Sequence, residues 1–88
     1  MNWDEQYNHS GKVYVDVTVF FHADGRMEPR SIVWEDGRSF AIDAVTDVRP
    51  AVSLKAGGCG LRYTCRISGR QLYLFLEDNR WFMERQEA

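Results

Sequence analysis

Residues 61–83 read Leu61-Arg62-Tyr63-Thr64-Cys65-Arg66-Ile67-Ser68-Gly69-Arg70-Gln71-Leu72-Tyr73-Leu74-Phe75-Leu76-Glu77-Asp78-Asn79-Arg80-Trp81-Phe82-Met83, and this stretch decides the fold class. Leu61, Tyr63, Cys65 and Ile67 alternate with Arg62, Thr64, Arg66 and Ser68, the period of a strand with one buried face. The alternation resumes at Leu72, Leu74 and Leu76, with Tyr73 and Phe75 between them. Gly69-Arg70 reads as a type II′ turn with glycine first, which sets Ile67 opposite Leu72, Cys65 opposite Leu74 and Tyr63 opposite Leu76. Asp78-Asn79 turns the chain again and places Trp81 opposite Leu76 and Met83 opposite Leu74. A three-stranded meander follows, its inner face made of Leu72, Leu74, Leu76, Trp81 and Met83.

The earlier chain has the same character. Val13, Val15, Val17, Val19 and Phe21 alternate with Tyr14, Asp16, Thr18, Phe20 and His22, and valine's branched side chain favours the pleat, so a strand is expected from Lys12. Ala23-Asp24-Gly25-Arg26 is a turn, and Met27–Trp34 a second strand. Asp36-Gly37 reads as the centre of a two-residue type I′ hairpin, pairing Glu35 with Arg38, Val33 with Phe40, Ile32 with Ala41 and Arg30 with Asp43. That register makes Val33, Phe40 and Ile42 one apolar set and Ile32, Trp34 and Ala41 the other. Val45–Leu54 is less regular, with Pro50 suited to an edge, a bulge or a break. Lys55 to Gly60 reads as a flexible glycine loop, its glycines permitting positive φ or mobility.

Short antiparallel strands with one apolar face hide it either by rolling into a small barrel or by folding as two stacked hairpin layers. The expected fold is therefore all-β: a small antiparallel, partly open barrel, an SH3-like roll of five to six short strands. Residues 1–11 form an N-terminal arm, residues 12–85 a single β domain and residues 86–88 a polar tail. The arm either docks on the domain or lies loose. With 88 residues, a second independent core is not expected, because so short a chain buries only about 60–65% of its unfolded surface. Three Trp, four Tyr and five Phe still allow one heavy core.

Thirteen acidic against eleven basic residues give a formal charge of -2, which excludes a strongly basic nucleic-acid protein but leaves room for a local basic face. No apolar run approaches a bilayer span, and the N-terminus has acidic residues where a secretory leader would be positive, so a cytoplasmic location is expected. Cys59 and Cys65 could bridge; the reading preferred for a barrel-like fold makes Cys65 a small buried hydrophobe and Cys59 a loop thiol.

The candidate binding face is the outer side of the terminal meander: Arg62, Arg66, Tyr73, Phe75 and Phe82. The expected register sets Arg66 opposite Tyr73, Thr64 opposite Phe75 and Phe75 opposite Phe82. Arginine supplies nine of the eleven basic residues, favouring planar, bidentate contacts. Three occupants fit such a face. Trp3 and Tyr7 of the arm, or a loop, can cover it; a protein partner or a second copy can dock on it; single-stranded nucleic acid can stack on it. Arg26, Arg30 and Arg38 lie among Glu28, Glu35, Asp36 and Asp43 and read as a solvated face of mixed charge rather than a basic rim.

No metal and no cofactor are expected, since His9, His22, Cys59 and Cys65 lack ligand spacing. Catalysis is not expected either. Each carboxylate has an ordinary structural account, and only an exposed Cys59 with His22 as base offers a nucleophile. Gly57-Gly58-Cys59-Gly60 lacks the spacing of a phosphate-binding loop. The Trp34–Asp43 hairpin, Arg62-Tyr63-Thr64-Cys65 and Trp81-Phe82 resemble small all-β bacterial proteins with a Trp-x-Asp-Gly-Arg-x-aromatic hairpin and a closing Trp strand. That resemblance spans about residues 12–85 and implies a compact β domain in a bacterial, cytosolic setting; no activity or site residue carries over with it. The expected function is an interaction module, by protein–protein contact or self-association through the outer face. Single-stranded nucleic-acid binding is the alternative, and a small enzyme using Cys59 the third.

Overall fold

The valine run does not stay in one sheet. In the computed structural model, which describes residues 11–52 and 59–85, it breaks at Val15 into β1 (Lys12–Tyr14) and β2 (Asp16–Phe21). β3 (Met27–Val33), β4 (Ser39–Ala41), β5 (Ala44–Val52), β6 (Cys59–Ile67), β7 (Arg70–Glu77) and β8 (Arg80–Glu84) follow. β1 pairs with β8 while β2 pairs with β3, so the two halves of the run serve different sheets. The result is a five-stranded antiparallel sheet, β1-β8-β7-β6-β5, facing a three-stranded one, β2-β3-β4. The chain crosses between them at Val15, whose N–H donates to the Trp81 carbonyl at 3.1 Å, and again at Ile42–Asp43. The all-β, antiparallel expectation holds, but there are eight strands rather than five to six, because two bent runs are each split in two, and the two sheets are not closed into a true barrel.

The core lies between the sheets. Val13, Val15, Ile32, Ile42, Tyr63, Cys65, Ile67, Leu74 and Met83 are buried there, with Trp34, Phe40, Leu72 and Trp81 packed against them. Phe21 was expected to share this face, yet it is 68% exposed. β4 pairs only with Ser31–Val33, so the distal part of β2–β3 extends past the core as a two-stranded ribbon.

Turn chemistry corrects two registers. Between β6 and β7 the turn residues are Ser68 and Gly69, both at positive φ (52° and 76°), which is type I′ rather than II′. Ile67 therefore faces Arg70, Cys65 faces Leu72, Tyr63 faces Leu74 and Leu61 faces Leu76. The slip is two residues, so every side chain keeps its face. Asp78 and Asn79 turn as expected, at φ 53° and 64°, with Leu76 opposite Trp81 and Phe75 opposite Phe82.

The β3–β4 hairpin slips by one residue, which changes more. The Gly37 N–H donates to the Trp34 carbonyl and the Trp34 N–H to the Arg38 carbonyl, enclosing a three-residue loop with Gly37 at φ 91°. That is a type I turn closed by a left-handed glycine. Ile32 consequently faces Phe40, Ser31 faces Ala41 and Val33 faces Ser39. Ile32, Trp34, Phe40 and Ile42 share the core face, and the expected Ile32–Ala41 and Val33–Phe40 pairs do not form.

β5 is a continuous nine-residue edge strand, more regular than expected, with Pro50 tolerated at the edge and a bulge between Val45 and Asp47. Cys59 and Gly60 open β6 rather than belonging to a loop, and Gly60 has no left-handed φ. Glycine is needed there for close approach: a Cβ would stand 2.6 Å from the Leu76 carbonyl oxygen. Residues 1–10 of the arm, residues 53–58 and residues 86–88 lie outside the described residues.

Candidate binding face

Side chains of the five-stranded sheet that point away from the core form one continuous row. Tyr14 on β1 faces Phe82 on β8, Phe82 faces Phe75 on β7, Phe75 faces Arg62 on β6, and Arg62 faces Arg49 on β5. Phe75 and Phe82 stack with centroids 5.0 Å apart and planes 13° apart; Tyr14 meets Phe82 edge-on at 5.7 Å, and Tyr73 lies 6.4 Å from Phe75. Phe75 thus points away from the Leu74 core, as the alternation requires. Phe82 also points outward but is 8% exposed, because rings and a lysine crowd it from both sides.

Cations cap the rings. Lys12 Nζ lies 4.4 Å from the Phe82 centroid, the Arg80 guanidinium 3.7 Å from Tyr14 and the Arg62 guanidinium 4.6 Å from Tyr73. The register correction moves Arg66 out of the aromatic row: it faces Gln71 and Ala44, while Thr64 faces Tyr73. Arg62 stands opposite Phe75, where Thr64 was expected, and caps Tyr73. Sequence reasoning missed Tyr14, Lys12 and Arg80. Tyr14 did sit on the face opposite the valines, but the β1–β8 pairing that recruits it is non-local and has no short-range signal.

Arg49 and Arg62 stand directly opposite each other, an arrangement that is unfavourable on a sheet face. Arg49 is neutralised by Asp47, 2.6 Å away. Arg62 forms no ion pair among the described residues, and its Nε is buried without a hydrogen-bond partner. Buried donors of this kind are rare and call for an explanation. Trp3 and Tyr7, the expected arm contacts, lie outside the described residues.

The hairpin arginines make no basic rim. Arg26 pairs with Asp24, Arg30 with Glu28, and Arg38 with Asp36. The expected Arg30–Asp43 and Glu35–Arg38 cross-strand pairs are replaced, and Glu35 binds Arg85 instead. Asp24 and Asp36 each accept the N–H of the arginine two residues on, at 3.0 Å, which holds both carboxyls below their usual range. The His22 ring, 2.7 Å from Glu28, does the same for Glu28.

Cys65 is fully buried, and burial pushes its thiol up to about 11. Cys59 lies six residues earlier on the same strand, about 20 Å away at strand rise, too far for an intramolecular bridge. In a Cys59→Ser variant, Cys65 should therefore resist a thiol reagent at pH 8 while native and react promptly in urea. Stoichiometric labelling of the native variant within minutes would contradict its burial.

A cleft of about 450 Å³ opens between the sheets, with Trp34, Phe40 and Leu72 on its walls and Arg38, Arg70 and Glu84 at its rim. Among the described residues, no cluster of three or more His, Cys, Asp or Glu side chains could hold a metal, and no helix is long and apolar enough to cross a membrane. The chain was compared with protein-family models, curated proteins and solved structures. None of them matches. What the protein does must therefore be argued from its own surface.

Proposed function

We propose that the protein is a non-enzymatic interaction module whose outer face binds a partner protein bearing carboxylates beside apolar side chains. The observation that carries this reading is Arg62, which ends a row of aromatic side chains from three strands, has no ion-pair partner among the described residues and has Arg49 directly across. A partner carboxylate would relieve that charge while the exposed edges of Tyr14 and Tyr73 supply apolar contact. Arg62, Arg66 and Arg80, none of them ion-paired among the described residues, disfavour a second copy on this same face, since like charges would meet.

Single-stranded nucleic acid is supported less. Base stacking needs open ring faces. Phe75 and Phe82 use theirs on each other, and the Tyr14, Phe82 and Tyr73 rings already carry cations. Against catalysis stands Cys65, buried and protonated at neutral pH; an enzyme built on Cys59 is the remaining alternative. The same proposal includes an SH3-like description of the roll, suggested by its two bent runs. It also includes a cytoplasmic, bacterial setting and kinship with the small all-β proteins that share the hairpin and closing Trp81 strand.

Selection from a random peptide library tests the reading. Enriched peptides should combine Asp or Glu with aromatic or aliphatic residues. Arg62→Gln and Tyr73→Ala should each weaken the best peptide about tenfold, equivalent to about 1.4 kcal/mol. Peptides indifferent to both changes would overturn the face. Tighter binding to a labelled single strand, lost steeply with salt, would favour nucleic acid instead.

A further inference from the structure

The three-stranded sheet has an edge that nothing in its own sequence protects. β2 (Asp16–Phe21) is the outer strand of β2-β3-β4, and it carries no proline, no lysine and no extra residue of its own. The bulge between β2 and β3 places its additional residue, Arg30, on β3. The other edges are blunted. β1 is three residues long, β4 likewise, the stretch of β3 beyond β4 contains Pro29 and the bulged Arg30, and β5 has a bulge, Pro50 and the Asp47–Arg49 pair. β2 also lies along the ribbon that leaves the core, where Phe20 is 49% and Phe21 68% exposed. Two strands alone are marginal in water, and two adjacent exposed phenylalanines add to that liability.

We infer that the occupant of this edge is a second copy of the chain, pairing β2 with β2 antiparallel about a two-fold axis at Val19. The sequence of β2 selects that register. Side chains stay on matching faces only when the axis passes through a residue, so the four interior residues of β2 are the candidate centres, and an axis at Val17 would leave both Phe20 and Phe21 without a partner on β2. An axis at Phe20 sets Asp16 opposite Asp24 of the second copy, two like charges. An axis at Thr18 sets Asp16 against Phe20 and leaves Phe21 beyond β2. An axis at Val19 sets Val19 on Val19, Val17 on Phe21, Thr18 on Phe20 and Asp16 on His22. Every pair is then apolar or polar-compatible, and the Asp16 carboxylate meets the His22 imidazole, whose Nε2 already bonds Glu28 at 2.7 Å.

A second feature fits this arrangement. A cleft of about 530 Å³ lies at the start of β2, walled by Tyr14, Val15, Val17, Asn79 and Trp81. Phe21 of the second copy, opposite Val17, arrives at its mouth. The two three-stranded sheets become one six-stranded sheet, the open backbone groups of β2 are satisfied, and both ribbons gain a neighbour. The Arg62 end of the outer face lies on the other sheet and takes no part, while Tyr14 and Arg80 at the far end of that row border this cleft.

Sedimentation at about 100 µM should give twice the chain mass of 10.3 kDa. Val19→Lys, which places two ammonium groups across the axis, should give a folded monomer by sedimentation and circular dichroism. Should that variant not fold, Val19→Cys in a Cys59→Ser background decides: mild oxidation should link two copies through residue 19, while Arg70→Cys in the same background should not cross-link. A monomeric wild-type chain at that concentration overturns the inference, as does a dimer unaffected by Val19→Lys or a failure of the residue-19 cross-link. Because Arg62→Gln leaves this edge untouched, loss of peptide binding with the dimer intact separates the two readings.

Discussion

Leu74→Ala should cost about 2–5 kcal/mol of folding stability, the range for emptying a leucine site that cannot collapse. Leu74 has no exposed surface and lies on β7, flanked by β6 and β8, with Tyr63 directly opposite. A chain of 88 residues has roughly 4–13 kcal/mol in total, so this one side chain accounts for a large share. Urea unfolding followed by tryptophan fluorescence should show a lower midpoint with an unchanged slope, the sign of altered stability rather than an altered denatured state. Tyr73→Ala, one residue away on the opposite face, should cost no more than about 1 kcal/mol. Equal losses at the two positions would mean that β7 does not alternate between core and surface.

The contrast between Leu74 and Tyr73 was legible because it rests on a period of two, which depends only on neighbouring residues. Turn type was harder to read, and its errors had unequal consequences. Taking Gly69-Arg70 instead of Ser68-Gly69 as the turn shifted the pairing by two residues. The inner and outer sets survived intact, though Arg66 was set opposite Tyr73, where Thr64 stands, and Thr64 opposite Phe75, where Arg62 stands. Taking Asp36-Gly37 as a two-residue loop shifted the next hairpin by one, and a shift of one exchanges faces. Asp-Gly suits either loop; what distinguishes them is whether Glu35 belongs to the turn, and the choice is tied to burial of Trp34, Phe40 and Ile42 against distant β6 and β8. The break at Val15 has the same origin. A run of alternating valines states that a strand exists, whereas β1–β8 pairing, which splits it, joins residues about 70 positions apart in sequence. The binding face inherits that division. Phe75 and Phe82 were found from local alternation, and Tyr14, Lys12 and Arg80 only from closure of the sheet.

Ile32→Asp should prevent folding at neutral pH, and Ala41→Asp should leave the fold in place. The two-residue hairpin would set these residues opposite each other on one face, so both changes would then act alike. In the structure Ile32 faces Phe40 and is 3% exposed, whereas Ala41 is exposed and faces Ser31. A carboxylate at position 32 would sit within the cluster of Val13, Val15, Ile67 and Met83. Desolvating an ion there costs several kcal/mol, and no cation belongs to that cluster to offset it. At position 41 the carboxylate stays in water, and surface changes of this kind typically fall within about 0.5 kcal/mol. Circular dichroism and amide dispersion in a proton–nitrogen correlation spectrum read the outcome directly. A native-like spectrum for Ile32→Asp together with loss of structure in Ala41→Asp would restore the two-residue loop and turn the β4 face over.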